Sequence, residues 1–228
     1  MALPEPEERE YHEECKIVAV GEKDVGKTSL LMTYIEKSFP SEYVPTVIGD
    51  YTSQETSDDL AFMLTLYDTA GHRDYARIRM LLYPKTDVFL LCFDVNTPLS
   101  FERIRDFWVP EVRAFFSQTS ASHSFEMLLV GTKTDLRGPK PNPHDHISTN
   151  EVETKESRCC IAITEEMGKA LAREIGAFDY VECSAKLRLG VEAVIQTAIA
   201  KFVSSKVRSP LNISLGPQPI RSHICMFL

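Results

Sequence analysis

Five apolar runs of strand length recur along the chain: KIVAV (16–20), LAFMLTLY (60–67), DVFLLCFDV (87–95), FEMLLV (125–130) and YVEC (180–183). Three of them are nearly continuous rather than alternating, the pattern of strands covered on both faces. YTSQETS (51–57) is a more polar strand. With Asp58 and Asp59 as a turn it forms a hairpin with 60–67 and lies at an edge. Helical patterns fill the gaps. Residues 27–37 form the first. Residues 100–116 form the second, with Phe101, Ile104, Phe107 or Trp108, Val112 and Phe115 at spacings of three to four. In 164–176, Thr164 stands at the N-cap, two Glu occupy the first turn and Gly176 follows the end. Residues 191–206 close the domain. Strands alternating with helices predict an α/β fold: a mostly parallel, six-stranded sheet with helices on both faces.

Two segments break the alternation. SQTSASHS (117–124) reads as a loop. Residues 137–160 open with Pro and Gly, turn charged, and read as an insertion with a short helix around 149–157. His144 and His146 flank Asp145 there without a partner spacing that suggests a metal, so a solvated loop is expected. Of the formal charge of −8, residues 1–14 hold six Glu against one Arg, which is −5, and read as a solvated acidic tail. The domain is placed at 15–205 and a flexible tail at 206–228. The negative balance argues against duplex nucleic acid as a partner. No apolar run suggests a signal peptide or a membrane span, so a cytoplasmic location is expected. The six cysteines show no metal-ligand pairing; Cys15, Cys92 and Cys183 fall in strand-like runs and read as core.

Candidate chemistry sits at the ends of the strands. GEKDVGKT (21–28) follows a strand and opens a helix, in the form G-x-x-x-x-G-K-T. Gly21 and Gly26 let the loop turn its N–H groups toward phosphates, Lys27 reaches the terminal phosphates, and the Thr28 hydroxyl can ligate Mg²⁺. In DTAG (68–71), Asp68 can hold Mg²⁺ through water and Gly71 frees an N–H for the terminal phosphate. In TKTD (132–135), Asp135 is an acceptor-only group that suits the adjacent donors of guanine, and the stem of Lys133 can cover the base. In ECSAK (182–186), a backbone N–H near Ala185 can meet the guanine oxygen. All four lie where open parallel sheets bind ligands.

Together GEKDVGKT, YVPTV (43–47), DTAGHRDY, GTKTDLR and YVECSAK resemble a Ras-superfamily small GTPase over about residues 15–205. WVPEV (108–112), IGAF (175–178) and the insertion after TKTD make the resemblance closest to the Rho family. It implies GTP/GDP and Mg²⁺ as ligands. It implies a nucleotide-binding set of Gly21, Glu22, Lys23, Asp24, Val25, Gly26, Lys27, Thr28, Ser29, Phe39, Tyr43, Thr46, Asp68, Gly71, Thr132, Lys133, Asp135, Leu136, Ser184, Ala185 and Lys186. Thr28 and Thr46 are the implied metal ligands, Thr46 as the switch residue. Effectors and regulators are implied at about 43–51 and 72–83. The family's usual Phe-Glu-Asn-Tyr after PTV is here Ile48-Gly49-Asp50-Tyr51, which changes the expected effector set. CMFL at the C-terminus resembles a prenylation signal on Cys225, its final Leu favouring geranylgeranyl. With few basic residues beside it, one lipid predicts reversible binding at the cytoplasmic face of membranes.

Two positions bear on catalysis. Lys23 stands where the family usually has Gly, and His72 where it usually has the Gln that orients the attacking water. Lys23 either crowds out an activating arginine, stands in for it, or points to solvent; a neutral His72 can itself orient water. The sequence therefore predicts a GTPase switch with impaired hydrolysis, its catalytic candidates Lys23 and His72; the alternative is a largely hydrolysis-deficient, GTP-bound interaction module controlled by abundance or membrane release. TKTD and ECSAK weigh against a third class, a P-loop kinase or ATPase.

Overall fold

A computed structural model describes residues 13–40, 46–57, 60–118, 124–137 and 162–207. The strands are β1 (Glu13–Val20), β2 (Ile48–Ser57), β3 (Leu60–Thr69), β4 (Val88–Asp94), β5 (Glu126–Thr132) and β6 (Asp179–Glu182). They form one sheet in the order β2-β3-β1-β4-β5-β6, with only the β2–β3 pair antiparallel. The helices are α1 (Lys27–Glu36), the short α2 (Ala76–Met80), α3 (Pro98–Arg103), α4 (Val109–Gln118), α5 (Glu165–Ile175) and α6 (Val191–Val207). This is the mostly parallel, six-stranded α/β fold that the alternation of strands and helices predicted.

Strand periodicity divides the core between the two faces of the sheet. On β4, Leu90 and Cys92 join Leu30, Leu31, Val194 and Phe202 of α1 and α6. Their neighbours Phe89, Leu91 and Phe93 join Trp108, Val112, Leu171 and Ile175 on the other face. Every residue of β4 is buried, which explains its unbroken apolar run. Cys15, Cys92 and Cys183 are buried free thiols, as expected of core cysteines. The edge strand β2 alternates between exposed and half-buried residues, because one face only is covered.

Three boundaries move. Glu13 and Glu14 are not tail: they open β1 opposite Phe62 and Met63. Their charges are held, Glu13 by Lys206 at 2.7 Å and Glu14 by the Thr65 hydroxyl at 3.2 Å. The helix expected over 191–206 runs to Val207, so the domain boundary drawn at 205 falls within the last turn of α6, which holds Lys206. The expected helix over 100–116 begins at Pro98 and reaches Gln118, taking in Ser117 and Gln118 from the expected loop. Between α3 and α4 it passes through a π-helical turn, Ile104–Trp108. The cap signals of α5 hold: Thr164 Oγ1 accepts from the Met167 N–H, and Gly176 closes the helix with φ 69°. The helix expected at 149–157, the Asp58-Asp59 turn, His144 and His146, Tyr43, the remaining acidic tail and Cys225 lie outside the described residues. No helix among the described residues is long and apolar enough to cross a membrane.

Candidate functional site: a phosphate groove and a base cavity

Four loops meet at the C-terminal ends of β1, β3, β5 and β6. The first, Gly21–Gly26, runs from β1 into α1. Gly21 passes so close to β4 that a Cβ would collide with the Cys92 carbonyl. That approach seats the loop on the sheet. Lys27 is buried, and its Nζ donates to the Gly21 and Glu22 carbonyls at 2.8 Å each. Burial lowers its pKa, although the nearby Asp68 opposes this. The loop thus holds its own cation at its centre, a lysine whose buried ammonium a phosphate would partner better than two carbonyls do.

At the end of β3 the buried Asp68 accepts from Thr28 Oγ1 through Oδ2 at 2.5 Å. Thr28 Oγ1 lies 2.8 Å from Thr46 Oγ1. Among the described residues Asp68 Oδ1 has no hydrogen-bond partner. Burial raises the Asp68 pKa, against the lowering effect of Thr28 and Lys27. Two hydroxyls and a carboxylate with an unused buried oxygen make a hard, oxygen-only donor set, which fits Mg²⁺ with its water shell and phosphate oxygens. A few residues on, Gly71 abuts the Glu22–Lys23 peptide, where any side chain would collide. Lys23, Asp24, Lys27, Thr28, Thr46 and Gly71 line one groove of about 680 Å³, which Ile48, Gly49 and Tyr51 of the edge strand also flank.

The third and fourth loops build a second cavity of about 200 Å³, lined by Gly26, Ser29, Phe39, Thr132, Lys133, Asp135, Leu136, Ala185 and Lys186. Asp135 accepts from Ser184 Oγ at 2.6 Å, which orients its carboxylate. Ser184 is fully buried and also accepts from the Leu187 N–H, so it ties two loops together. Thr132 Oγ1 donates to the Val25 carbonyl at 2.5 Å, joining this cavity to the phosphate loop. The mostly apolar walls and the single oriented carboxylate suit a flat heterocycle with adjacent N–H donors.

The two catalytic candidates differ in placement. Lys23 lines the groove, its side chain 64% exposed and 3.8 Å from Asp24. His72 does not line it. Its Nδ1 accepts from the Asp74 N–H at 3.3 Å and caps the turn Arg73–Tyr75.

Several supporting residues escaped the sequence reading. The guanidinium of Arg79 is buried and donates to the Ala70 and His72 carbonyls, at 2.8 and 3.2 Å. It is held in turn by Glu111. Glu22 pairs with Arg103 at 3.0 Å, and Arg103 lies over the Phe107 ring. Asp94 pairs with Lys133 at 3.0 Å. Only Asp94 carried a signal: an acidic residue ending an otherwise apolar strand. A model of the Ras family matches residues 16–204 of the chain.

Proposed function

The chain belongs to the Ras family, and from that membership we propose that it is a Rho-like GTPase that hydrolyses GTP slowly. As a Ras-family protein it is a small GTPase, a signalling switch that binds guanine nucleotide and engages effector and regulator proteins. The Rho-like assignment is supported by YVPTV, WVPEV, IGAF and the insertion after TKTD.

The observation that carries the slow-hydrolysis reading is Lys23 at the phosphate groove, where the family usually has a glycine. Guanine would lie over Ser29 and Phe39 with its donors on Asp135. The phosphates would lie along the loop, on Lys27, and Thr28, Thr46 and Asp68 would hold Mg²⁺, which neutralises phosphate charge. Hydrolysis by such a site rests on positioning and charge stabilisation. Lys23 takes the space an activating arginine needs, a contribution worth roughly 10³–10⁵ in rate. His72 would have to leave its cap on Asp74 to orient water. We place Cys225 as a prenylation site that brings the protein reversibly to membranes.

The test is a time course of phosphate release from GTP-loaded protein with a Rho-type activating protein present. Wild type should respond little. Lys23→Gly should recover more of the response than His72→Gln, because space precedes positioning. The double variant should exceed both, since the two changes act on one transition state. Fast release from wild type would remove the slow-hydrolysis reading and leave an ordinary switch.

A further inference from the structure

Lys133 lines both cavities, together with Gly26, Ser29 and Phe39. Its backbone is left-handed, at φ 58° and ψ 38°, a conformation that a side chain normally disfavours. Its stem crosses the start of α1, close enough that a Cβ on Gly26 would touch Lys133 Cε at 3.7 Å. Something must hold a lysine in that shape.

Both of its ends are fastened to the end of β4. The ammonium sits 3.0 Å from Asp94 Oδ2. The backbone carbonyl accepts from Asn96 Nδ2 at 3.0 Å. Asn96 is in turn fixed by Asp94, whose Oδ1 accepts from the Asn96 N–H at 2.8 Å and from Nδ2 at 3.2 Å. One carboxylate therefore governs the head of Lys133 directly and its backbone through one amide. The Asp94 side chain is only 10% exposed and that of Lys133 33%. This is a partly desolvated, hydrogen-bonded pair, unlike the exposed pairs that contribute little.

We infer that Asp94 is a positioning residue for bound nucleotide: with Asn96 it stretches Lys133 into the shared wall between the base cavity and the phosphate groove. The consequence is slow release. A lysine stem fixed before binding loses little rotamer freedom when the base packs on it. Freed from Asp94, the stem samples other rotamers, and the wall is present only part of the time. The inference rests on the guanine-nucleotide reading of the two cavities given above.

A rival explanation is that Asp94 merely closes its own turn, because its Oδ1 also caps the Asn96 N–H. Asp94→Asn separates the two, since the amide oxygen keeps the turn while the charge facing Lys133 is lost. The experiment loads the full chain with a fluorescent GDP analogue and chases it with unlabelled GDP in the presence of Mg²⁺. Asp94→Asn should release the analogue about tenfold faster, the scale of one hydrogen bond to a charged group. Lys133→Met keeps the apolar stem and should be at least as fast. Adding Asp94→Asn to Lys133→Met should change the rate less than twofold, because the partner is already gone.

The inference is overturned if Asp94→Asn stays within twofold of wild type. It is also overturned if its effect persists in full beside Lys133→Met, which would mark a structural role. Asp135→Ala serves as the control. If it speeds release and Asp94→Asn does not, the nucleotide reading stands and the positioning role alone falls. If wild type retains no GDP analogue, both fall.

Discussion

The buried pair of Arg79 and Glu111 offers the sharpest energetic prediction. Their side chains are 1% and 6% exposed. Arg79 Nε and Nη2 meet the two carboxylate oxygens at 2.9 and 2.7 Å, and the Tyr83 hydroxyl donates to Oε1 at 2.6 Å. The guanidinium lies 4.5 Å from the centre of the Trp108 ring. Burial opposes the charged form of Arg79, but Glu111 outweighs it and raises the pKa above its ordinary value, so the arginine stays charged. Glu111→Gln keeps the size, removes the charge and turns an amide NH₂ toward a donor. A buried cation left unpaired costs about 3–5 kcal/mol. For a domain of this size each kcal/mol is about 2–4 °C in Tm, so the midpoint should fall by roughly 6–20 °C. The assay is thermal unfolding at a fixed excess of GDP, since ligand concentration itself moves Tm. A combined Arg79→Met and Glu111→Leu variant should be more stable than Glu111→Gln, because no charge is stranded. A fall of under about 2 °C for Glu111→Gln would refute the reasoning, as would a double variant less stable than the single.

Asp135→Ala should weaken GDP binding by about 1–3 kcal/mol by leaving two base donors unpaired, and should reduce the preference for GTP over ATP; competition with both nucleotides checks this. Burial works to raise the Glu182 pKa, but hydrogen bonds from Arg137 and Tyr180 bring it below the ordinary value. A depressed carboxylate pKa stabilises the fold above the ordinary glutamate pKa of about 4.3, and the benefit disappears as pH falls below it. The stability gap between wild type and Glu182→Gln should therefore be full at pH 7 and shrink steadily toward pH 3 in denaturant titrations. Cys225→Ser should move the membrane-bound fraction into the soluble one on fractionation, and identical partitioning of the two proteins would exclude Cys225 as the anchor.

Most of the sheet was legible because five of its strands are apolar runs, and helices with clear punctuation separate most of them. The phosphate and base loops were legible because their chemistry is local: Lys27 and Thr28 are neighbours, and Asp135 lies two residues beyond Lys133. What stayed hidden was long-range. Asp94 and Lys133 are 39 residues apart, and Arg79 and Glu111 are 32 apart; no periodicity links them. Lys23 was visible as a residue, but not the 64% exposure of its side chain beside Asp24. The choice between Phe107 and Trp108 as the core residue could not be made on a 3.6-residue period, because the helix leaves that period there. Trp108 is fully buried, while Phe107 sits beneath Arg73 and Arg103.

That departure also makes the segment a ruler. A π turn accommodates one residue more than the α-helical path would. Deleting one residue between Ile104 and Trp108 lets the helix return to a regular winding with the residues after it still in register, whereas inserting one there turns them by about 100° and pushes them on by about 1.5 Å. Glu111 would then face away from Arg79, and the carbonyls of Ala70 and His72 would lose the group that grips them. Substitutions at the exposed Arg105 and Asp106 leave that spacing intact. Chain length at this point, more than side-chain identity, decides whether the loop carrying His72 has a handle.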